Sequence, residues 1–223
     1  MSIADKLTQI AENMQAVYEA GKAAGGGGSG EDLLVYATRI ANLFENAVFP
    51  EGYEITITAP NALTGATIGY MFTKATGIRK ITLNIPAGTY SSAHSFAYQT
   101  EVEEITFPDG IRFNNWNNFA SSVKTLKSIF GRIDVSGSTN NAGSLSGCSA
   151  LEDVSFMPNT IYKAFHIGHS SKLTDASIQS IIDGLADVTG GDTQKLQLHS
   201  TVGAKLTEEQ KASATAKNWT LVY

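Results

Sequence analysis

Val102-Glu-Glu-Ile105-Thr-Phe107-Pro108 carries an apolar pattern that recurs along this chain of 223 residues. Similar segments begin at Ile78, Val102, Leu126, Leu151 and Leu173, so that successive starts are 24, 24, 25 and 22 residues apart. A shorter copy covers Tyr53-Glu-Ile55-Thr-Ile57. A period in the low twenties is typical of repeat proteins, in which each unit buries its apolar face against its neighbours. The sequence therefore predicts a β-solenoid of about five short repeats of 22–25 residues.

Each repeat is expected to contribute one strand, because its apolar residues alternate with polar ones. A bulky apolar residue precedes each segment by six or seven positions: Phe72, Phe96, Phe119, Leu145 and Ile167. Four of the five prolines follow the predicted strands closely, where a residue without an amide donor ends a ladder. The remaining residues of each unit are rich in Ser, Asn, Gly and Thr, which predicts irregular connecting segments, here called arcs.

The register of the repeats aligns polar residues in columns on the solvent face of the predicted sheet. One column contains Glu54, Lys80, Glu104 and Asp153, and the next contains Thr56, Thr82 and Thr106. Opposite charges and stacked threonines on neighbouring strands stabilise a sheet by roughly a few tenths of a kcal/mol each. These columns therefore predict a structural role, with a ligand-binding surface as the alternative.

The segments that flank the repeats give an α+β class, with helices at both ends. Residues 1–24 predict a coiled-coil or anchoring helix, since an apolar seam recurs every three and four positions at Ile3, Leu7, Ile10, Met14 and Val17. The seam favours a homo-oligomer, either dimer or trimer; a helix packed on its own chain and a frayed tail are the alternatives. Residues 25–30 are a glycine-rich linker, either native or introduced by engineering.

Two caps are predicted around the repeats of residues 53–172. Residues 31–52 predict a capping helix, because Leu33, Leu34 and later apolar residues follow a period of 3.6. Residues 173–223 predict a C-terminal α/β cap with a helix from about 175 to 188, a strand at 195–199, a second helix and a final strand at 219–223. Thr207 and Gln210 predict a capping box at the start of that second helix.

The repeat unit resembles the BspA-type leucine-rich repeat. The resemblance rests on Phe96 through Pro108, on Phe119, and on Leu145-Ser-Gly-Cys148-Ser-Ala-Leu151, where Cys148 has the position at which that family often has cysteine. It covers about residues 53–172 and implies that the predicted solenoid is leucine-rich-repeat-like. The middle repeat departs from the pattern, since it has Gly131 where an apolar residue is expected.

Residues 2–22 and 204–221 are similar to the two ends of repeat proteins encoded by tailed phages and prophages. This resemblance implies a non-enzymatic virion accessory protein, such as a fibre or tail component, which contacts other virion proteins and displays its repeats for host-surface binding. It implies no catalytic residues. A bacterial BspA-like adhesin or protein-interaction module is the alternative, and a glycan-active enzyme is a third hypothesis.

Composition limits the partners and the location of the protein. The net charge of −5 argues against a nucleic-acid binder, which needs a dense basic face. No stretch approaches the roughly 20 apolar residues that cross a bilayer, and no basic segment followed by an apolar run indicates secretion. Cys148 is the single cysteine, so no internal disulfide forms. We therefore expect synthesis in the host cytoplasm and no membrane insertion, and the resemblance to phage-encoded proteins implies location in the virion.

The arcs contain the candidate binding residues, which combine flat rings with amide groups: Tyr90, Tyr98, Trp116, Asn115, Asn117 and Tyr162. That mixture suits a bacterial surface glycan or a protein, although the rings could instead pack beneath the arcs. His166 and His169 have a spacing found in zinc sites but lack a nearby Cys or acidic partner. No metal, cofactor or catalytic residue is predicted.

Overall fold

The computed structural model describes residues 31–34, 44–58, 68–99, 101–141 and 143–223. These residues form eleven strands and three helices. The strands are β1 (Glu31–Leu34), β2 (Val48–Thr58), β3 (Thr76–Asn84), β4 (Gly88–Ser91), β5 (Glu104–Thr106), β6 (Ile111–Asn115), β7 (Ser128–Ile133), β8 (Asp153–Phe156), β9 (Phe165–His166), β10 (Gln194–Gln197) and β11 (Trp219–Val222). The helices are α1 (Asp175–Gly184), α2 (Ser200–Gly203) and α3 (Glu208–Ala216).

The strands form three sheets in which the named strands pair in parallel. The largest has six strands in the order β1-β2-β3-β5-β7-β8; β11-β10-β9 and β4-β6 form the others. In the large sheet Ile55, Ile81, Ile105 and Ile129 occupy one continuous register. The two predicted polar columns are confirmed, since Glu54, Lys80 and Glu104 are aligned, and so are Thr56, Thr82 and Thr106.

The predicted α+β class and the predicted leucine-rich-repeat-like β-solenoid are wrong. Parallel pairing is characteristic of α/β rather than α+β proteins, although three helices among the described residues indicate that class only weakly. The strands lie in three separate sheets, and none of those formed by the described residues closes into a barrel. The apolar period predicts that successive repeat segments become neighbouring strands. It does not predict how the chain folds between one segment and the next.

The predicted helical N-terminal cap is also wrong where the structure describes it. Glu31–Leu34 is strand β1, which pairs in parallel with the end of β2, and β2 itself begins at Val48. Pairing with the edge of a sheet satisfies the backbone groups of β1 and overrides a local helical periodicity, which is a weak preference. The intervening residues 35–43, the predicted N-terminal helix with its seam, and the glycine-rich linker lie outside the described residues.

Aromatic rings in stacked and edge-to-face contact join successive units in the core. The ring of Phe72 lies 5.1 Å from that of Phe44 and 5.8 Å from that of Phe96, between centroids, and Phe96 lies 4.9 Å from Phe119. Such pairs contribute about 0.5–1.5 kcal/mol beyond the burial of their area. The bulky residue that precedes each repeat segment is therefore a core residue, and Phe72, Phe96, Phe119, Leu145 and Ile167 are all fully buried.

The C-terminal elements follow the predicted order, although α1 ends at Gly184 rather than near residue 188 and the short helix α2 was not predicted. The helix expected from about residue 175 is α1, whose N-cap is Thr174, and the capping box of Thr207 and Gln210 is confirmed at the start of α3. Helix α1 covers the edge of the large sheet. Its serines accept hydrogen bonds from the free amides of β8, from Val154 to Ser177 Oγ at 2.9 Å and from Phe156 to Ser180 Oγ at 2.8 Å.

Candidate binding surface

Two rows of residues in the left-handed backbone conformation cross the arcs. The first row contains Tyr70, His94, Asn118 and Gly143, and the second contains Lys74, Tyr98, Ser122 and Gly147, with φ between +50° and +84°. Within each row successive members are 24, 24 and 25 residues apart. The six non-glycine members, Tyr70, Lys74, His94, Tyr98, Asn118 and Ser122, are called the left-handed patch below.

A backbone ladder between neighbouring arcs fixes this conformation. The amide of Tyr70 donates to the carbonyl of Ala93 at 3.0 Å, and that of His94 donates to the carbonyl of Asn117 at 3.1 Å. The second row is bound in the same way, with Tyr98 donating to Ser121 at 2.9 Å. Because these arcs are bonded to their neighbours through the backbone, the left-handed residues cannot relax singly.

The residue types in these rows are informative, because the left-handed backbone conformation is unfavourable for residues other than glycine. A left-handed residue other than glycine costs roughly 1–2 kcal/mol, and Asn tolerates the conformation better than bulky residues do. Gly143 and Gly147 end the two rows, so the same backbone conformation is compatible with glycine. Tyr70, Lys74 and Tyr98 are strained choices that the fold alone does not require. Strain of this kind is concentrated at functional sites.

The side chains of the first row form a continuous surface. The rings of Tyr70 and His94 are stacked, with centroids 5.0 Å apart and an interplanar angle of 12°. The Asn118 amide nitrogen lies 3.3 Å from His94 Nε2. The two side chains are therefore within hydrogen-bond distance of each other. The surface thus offers a phenol ring, an imidazole edge and an amide side by side.

Three of the residues predicted from the sequence lie in or beside this patch. Tyr98 is a member of the second row and is 46% exposed. Asn115 is exposed and its side-chain oxygen accepts from the amide of Asn117 at 3.3 Å. Asn117 is half-buried, and its carbonyl accepts from the amide of His94. The structure therefore brings these three close to the first row.

Two of the predicted binding residues are instead part of the core. Trp116 is fully buried, and its ring centroid lies 5.8 Å from those of Phe156 and Phe165. Tyr90 is 2% exposed, donates its hydroxyl to the carbonyl of Pro86 at 2.8 Å, and has a pKa raised by burial. The prediction that these rings contact a ligand at the surface disagrees with their burial, because the arcs fold over them.

Among the described residues, no ring contact joins Tyr162 to the left-handed patch. Tyr162 is 42% exposed and lies in the arc before β9. Its ring stacks on no other aromatic ring of the described residues. Binding by Tyr162 stays a prediction.

His166 and His169 lie close to each other, and Cys148 is buried. The rings of His166 and His169 are 5.2 Å apart, and Nδ1 of His169 accepts from the Gly147 amide at 3.2 Å. Burial, followed by the proximity of His169, lowers the pKa of His166. Burial raises the pKa of the Cys148 thiol to about 12. Within the described part of the chain, no three His, Cys, Asp or Glu residues are grouped as metal ligands.

Comparison of the chain with models of known protein families, with curated proteins and with solved structures gave no match. Among the described residues, no helix is both long and apolar enough to span a bilayer.

The sequence pattern did not lead to Tyr70, Lys74 or His94, although their spacing was visible. Tyr70 and His94 are 24 residues apart, and so are Lys74 and Tyr98. Their side chains differ in type, so no residue motif repeats. Only the common left-handed conformation shows that they are equivalent.

Proposed function

We propose that this chain is a non-enzymatic binding protein and that the left-handed patch contacts a bacterial surface glycan. The observation that carries the proposal is the repeated use of strained, partly exposed side chains where the fold accepts glycine. Rings of this kind stack on the apolar faces of sugars, while the amide of Asn118 and the imidazole of His94 provide directed hydrogen bonds. A flat row of such groups is suited to an extended ligand.

The charged groups of the large sheet support a non-enzymatic role. Glu54 forms an ion pair with Arg79, and Glu104 forms one with Lys80. These carboxylates have cation partners already, whereas hydrolysis of glycosidic bonds depends on two carboxylates that converge on the scissile bond. The charge column therefore stabilises the sheet, in agreement with the structural role proposed for it from the sequence.

The biological setting that we propose is the particle of a tailed phage. Its support is the similarity of residues 2–22 and 204–221 to the ends of phage-encoded repeat proteins. The protein would form a homo-oligomer through the seam of Ile3, Leu7, Ile10, Met14 and Val17, contact other virion proteins, and present the left-handed patch to the host surface. Mass spectrometry of purified particles and antibody labelling test this location. Detection only on bacterial cells would favour the adhesin hypothesis.

Glycine variants test the binding surface without removing the fold. We expect Tyr70→Gly and Tyr98→Gly to reduce binding to isolated bacterial surface polysaccharides at least tenfold, because each removes a ring but keeps a favoured backbone residue. Asn159→Gly is the matched control, since Asn159 is also left-handed and exposed but lies outside the patch. Equal binding by all three variants and the original protein would remove the patch as the site.

A second measurement separates recognition from catalysis. Polysaccharide incubated with the protein should keep its chain length, as followed by size-exclusion chromatography. Shortening of the polymer would overturn the non-enzymatic proposal. Failure of the unaltered protein to bind any surface polysaccharide, while it binds a purified surface protein, would replace the glycan by a protein partner.

A further inference from the structure

Strand β7 contains a bulge that interrupts its pairing with β8. Ser128 pairs with Asp153, but the next pair joins Arg132 to Ser155, so three residues of β7 face one residue of β8. Gly131 lies within the bulge at φ +105°, and a Cβ atom there would overlap the carbonyl oxygen of Phe107. The bulge therefore requires glycine at this position. Bulges commonly redirect a side chain or end pairing next to a functional site.

Phe130 lies on the solvent face of the large sheet, next to Gly131 of the bulge. Phe130 is 47% exposed, more than any other phenylalanine of the described residues. It pairs with Thr106 and so extends the row of Thr56, Thr82 and Thr106. A phenyl ring thus replaces the hydroxyl that the row has on the three preceding strands. Exposure of an aromatic ring in a row of threonines is not explained by packing.

A cavity of about 250 Å³ lies beside this ring, where the bulge separates β7 from β8. Its apolar lining includes Ile129, Val154 and Ala176, and Asp153 and Ser155 provide polar groups. Small-molecule sites usually have volumes of about 300–1,000 Å³. The cavity, called the Phe130 pocket below, is therefore better matched to a single side chain than to a cofactor.

The charge of the pocket follows from the column of residues on the sheet. Lys80 lies between Glu54 and Glu104, but Ser128 occupies the position beside Asp153. Asp153 accepts two long hydrogen bonds, from Ser128 Oγ at 3.4 Å and from Thr174 Oγ1 at 3.2 Å. No cation of the described residues forms an ion pair with it.

The nearby start of helix α1 does not reverse this charge. A helix N-terminus corresponds to roughly half a positive charge, which does not cancel the carboxylate of Asp153 at the pocket, while Asp175 lines a separate cavity with Lys205. The pocket therefore keeps a net negative charge beside an exposed aromatic ring, and a cation with a flat, partly apolar body is complementary to both features.

We propose that the Phe130 pocket receives the side chain of an arginine from a partner protein. The planar guanidinium can stack on the Phe130 ring and donate two parallel hydrogen bonds to the Asp153 carboxylate, which a lysine ammonium cannot do in the same geometry. The proposal is independent of the left-handed patch, because it involves the sheet and not the arcs. A partner that inserts an arginine here would dock on the solvent face of the large sheet.

A pair of small probes tests the charge requirement. N-acetyl-arginine amide and N-acetyl-citrulline amide have nearly the same shape, but only the first is cationic. In a titration of the ¹⁵N-labelled full chain, we expect the arginine probe to give saturable shifts at the amides of 129–131 and 153–155. The citrulline probe should bind at least tenfold more weakly. Equal shifts with both probes, or none with either, would overturn the proposal.

Two variants locate the interaction. Asp153→Asn should reduce binding of the arginine probe at least tenfold, whereas Asp192→Asn, an equal change of net charge at another exposed carboxylate, should leave it unchanged. Phe130→Leu keeps an apolar group but removes the ring face, and we expect a several-fold loss. Full binding by Asp153→Asn would show that the carboxylate is not the partner. Tighter binding of a neutral trisaccharide at the same amides would reassign the pocket to sugars.

Discussion

Replacement of Ser177 by alanine tests how the edge of the large sheet is covered. Ser177 is 4% exposed, and its hydroxyl makes two hydrogen bonds to the backbone of the sheet edge besides one from Thr174 Oγ1 at 3.0 Å. It accepts from the amide of Val154 at 2.9 Å and donates to the carbonyl of Glu152 at 3.0 Å. Ser177→Ala removes these interactions and leaves the amide of β8 buried without a partner. The side chain is too small for its loss to open a large cavity.

The expected loss of stability follows from the cost of a buried polar group without a partner. Such a group costs about 1–3 kcal/mol, so we expect Ser177→Ala to lower the free energy of unfolding by about 2 kcal/mol. For a chain of this length each kcal/mol changes Tm by about 2–4 °C, and the melting temperature should fall by about 4–8 °C. Ser180→Ala should have a smaller effect, because Ser180 is half-buried and water can replace its hydroxyl.

Urea unfolding followed by circular dichroism measures these differences, with an unchanged m-value as the check that the native surface is intact. Ser149→Ala is the control, because Ser149 is exposed and its hydroxyl makes no hydrogen bond to a described residue; its effect should remain within about 0.5 kcal/mol. A loss below about 0.5 kcal/mol for Ser177→Ala would refute the reasoning, since the amide of Val154 would then have another partner.

Three further predictions concern the backbone and the core. Gly131→Ala should destabilise the protein by about 2 kcal/mol or more, because its Cβ would overlap the carbonyl of Phe107 at a positive φ; thermal melting checks this. Tyr98→Gly should be more stable than Tyr98→Ala by about 1 kcal/mol, since the left-handed conformation reverses the usual preference; equal stabilities would contradict it. Cys148 should react with a thiol reagent at pH 8 only after unfolding, because burial keeps it as the neutral thiol; rapid labelling of the folded protein would disprove this.

The sequence alone was sufficient for the placement of the repeat strands β2, β3, β5, β7 and β8 and of their polar columns, whereas β4, β6 and β9 lie in segments that were expected to be irregular. The apolar positions of the repeats indicated strands that return at a regular interval, and Glu54, Lys80 and Glu104 are aligned as expected. The start of α3 was equally predictable, because the capping box of Thr207 and Gln210 depends only on neighbouring residues. Features that depend on short-range interactions were therefore predicted well from the sequence.

The binding residues were harder to predict because exposure depends on what packs across them. Trp116 has polar neighbours in sequence on both sides, which suggested a surface ring, but Phe156 and Phe165 from later parts of the chain cover it. Tyr70 and His94 are stacked only because the arcs are bonded to one another over 23 residues. Neither arrangement is encoded in a local pattern.

The sequence by itself determined the period of the chain, the strands of the repeat segments and the columns on the sheet, because these follow from which side chains alternate between core and solvent. The tertiary structure alone decided that Glu31–Leu34 is a strand, that the strands divide into three parallel sheets, and that β7 is bulged beside Phe130. The reason is the same in each case. Pairing of backbone groups and burial of rings depend on distant partners, and these interactions outweigh the weak preferences of a local segment.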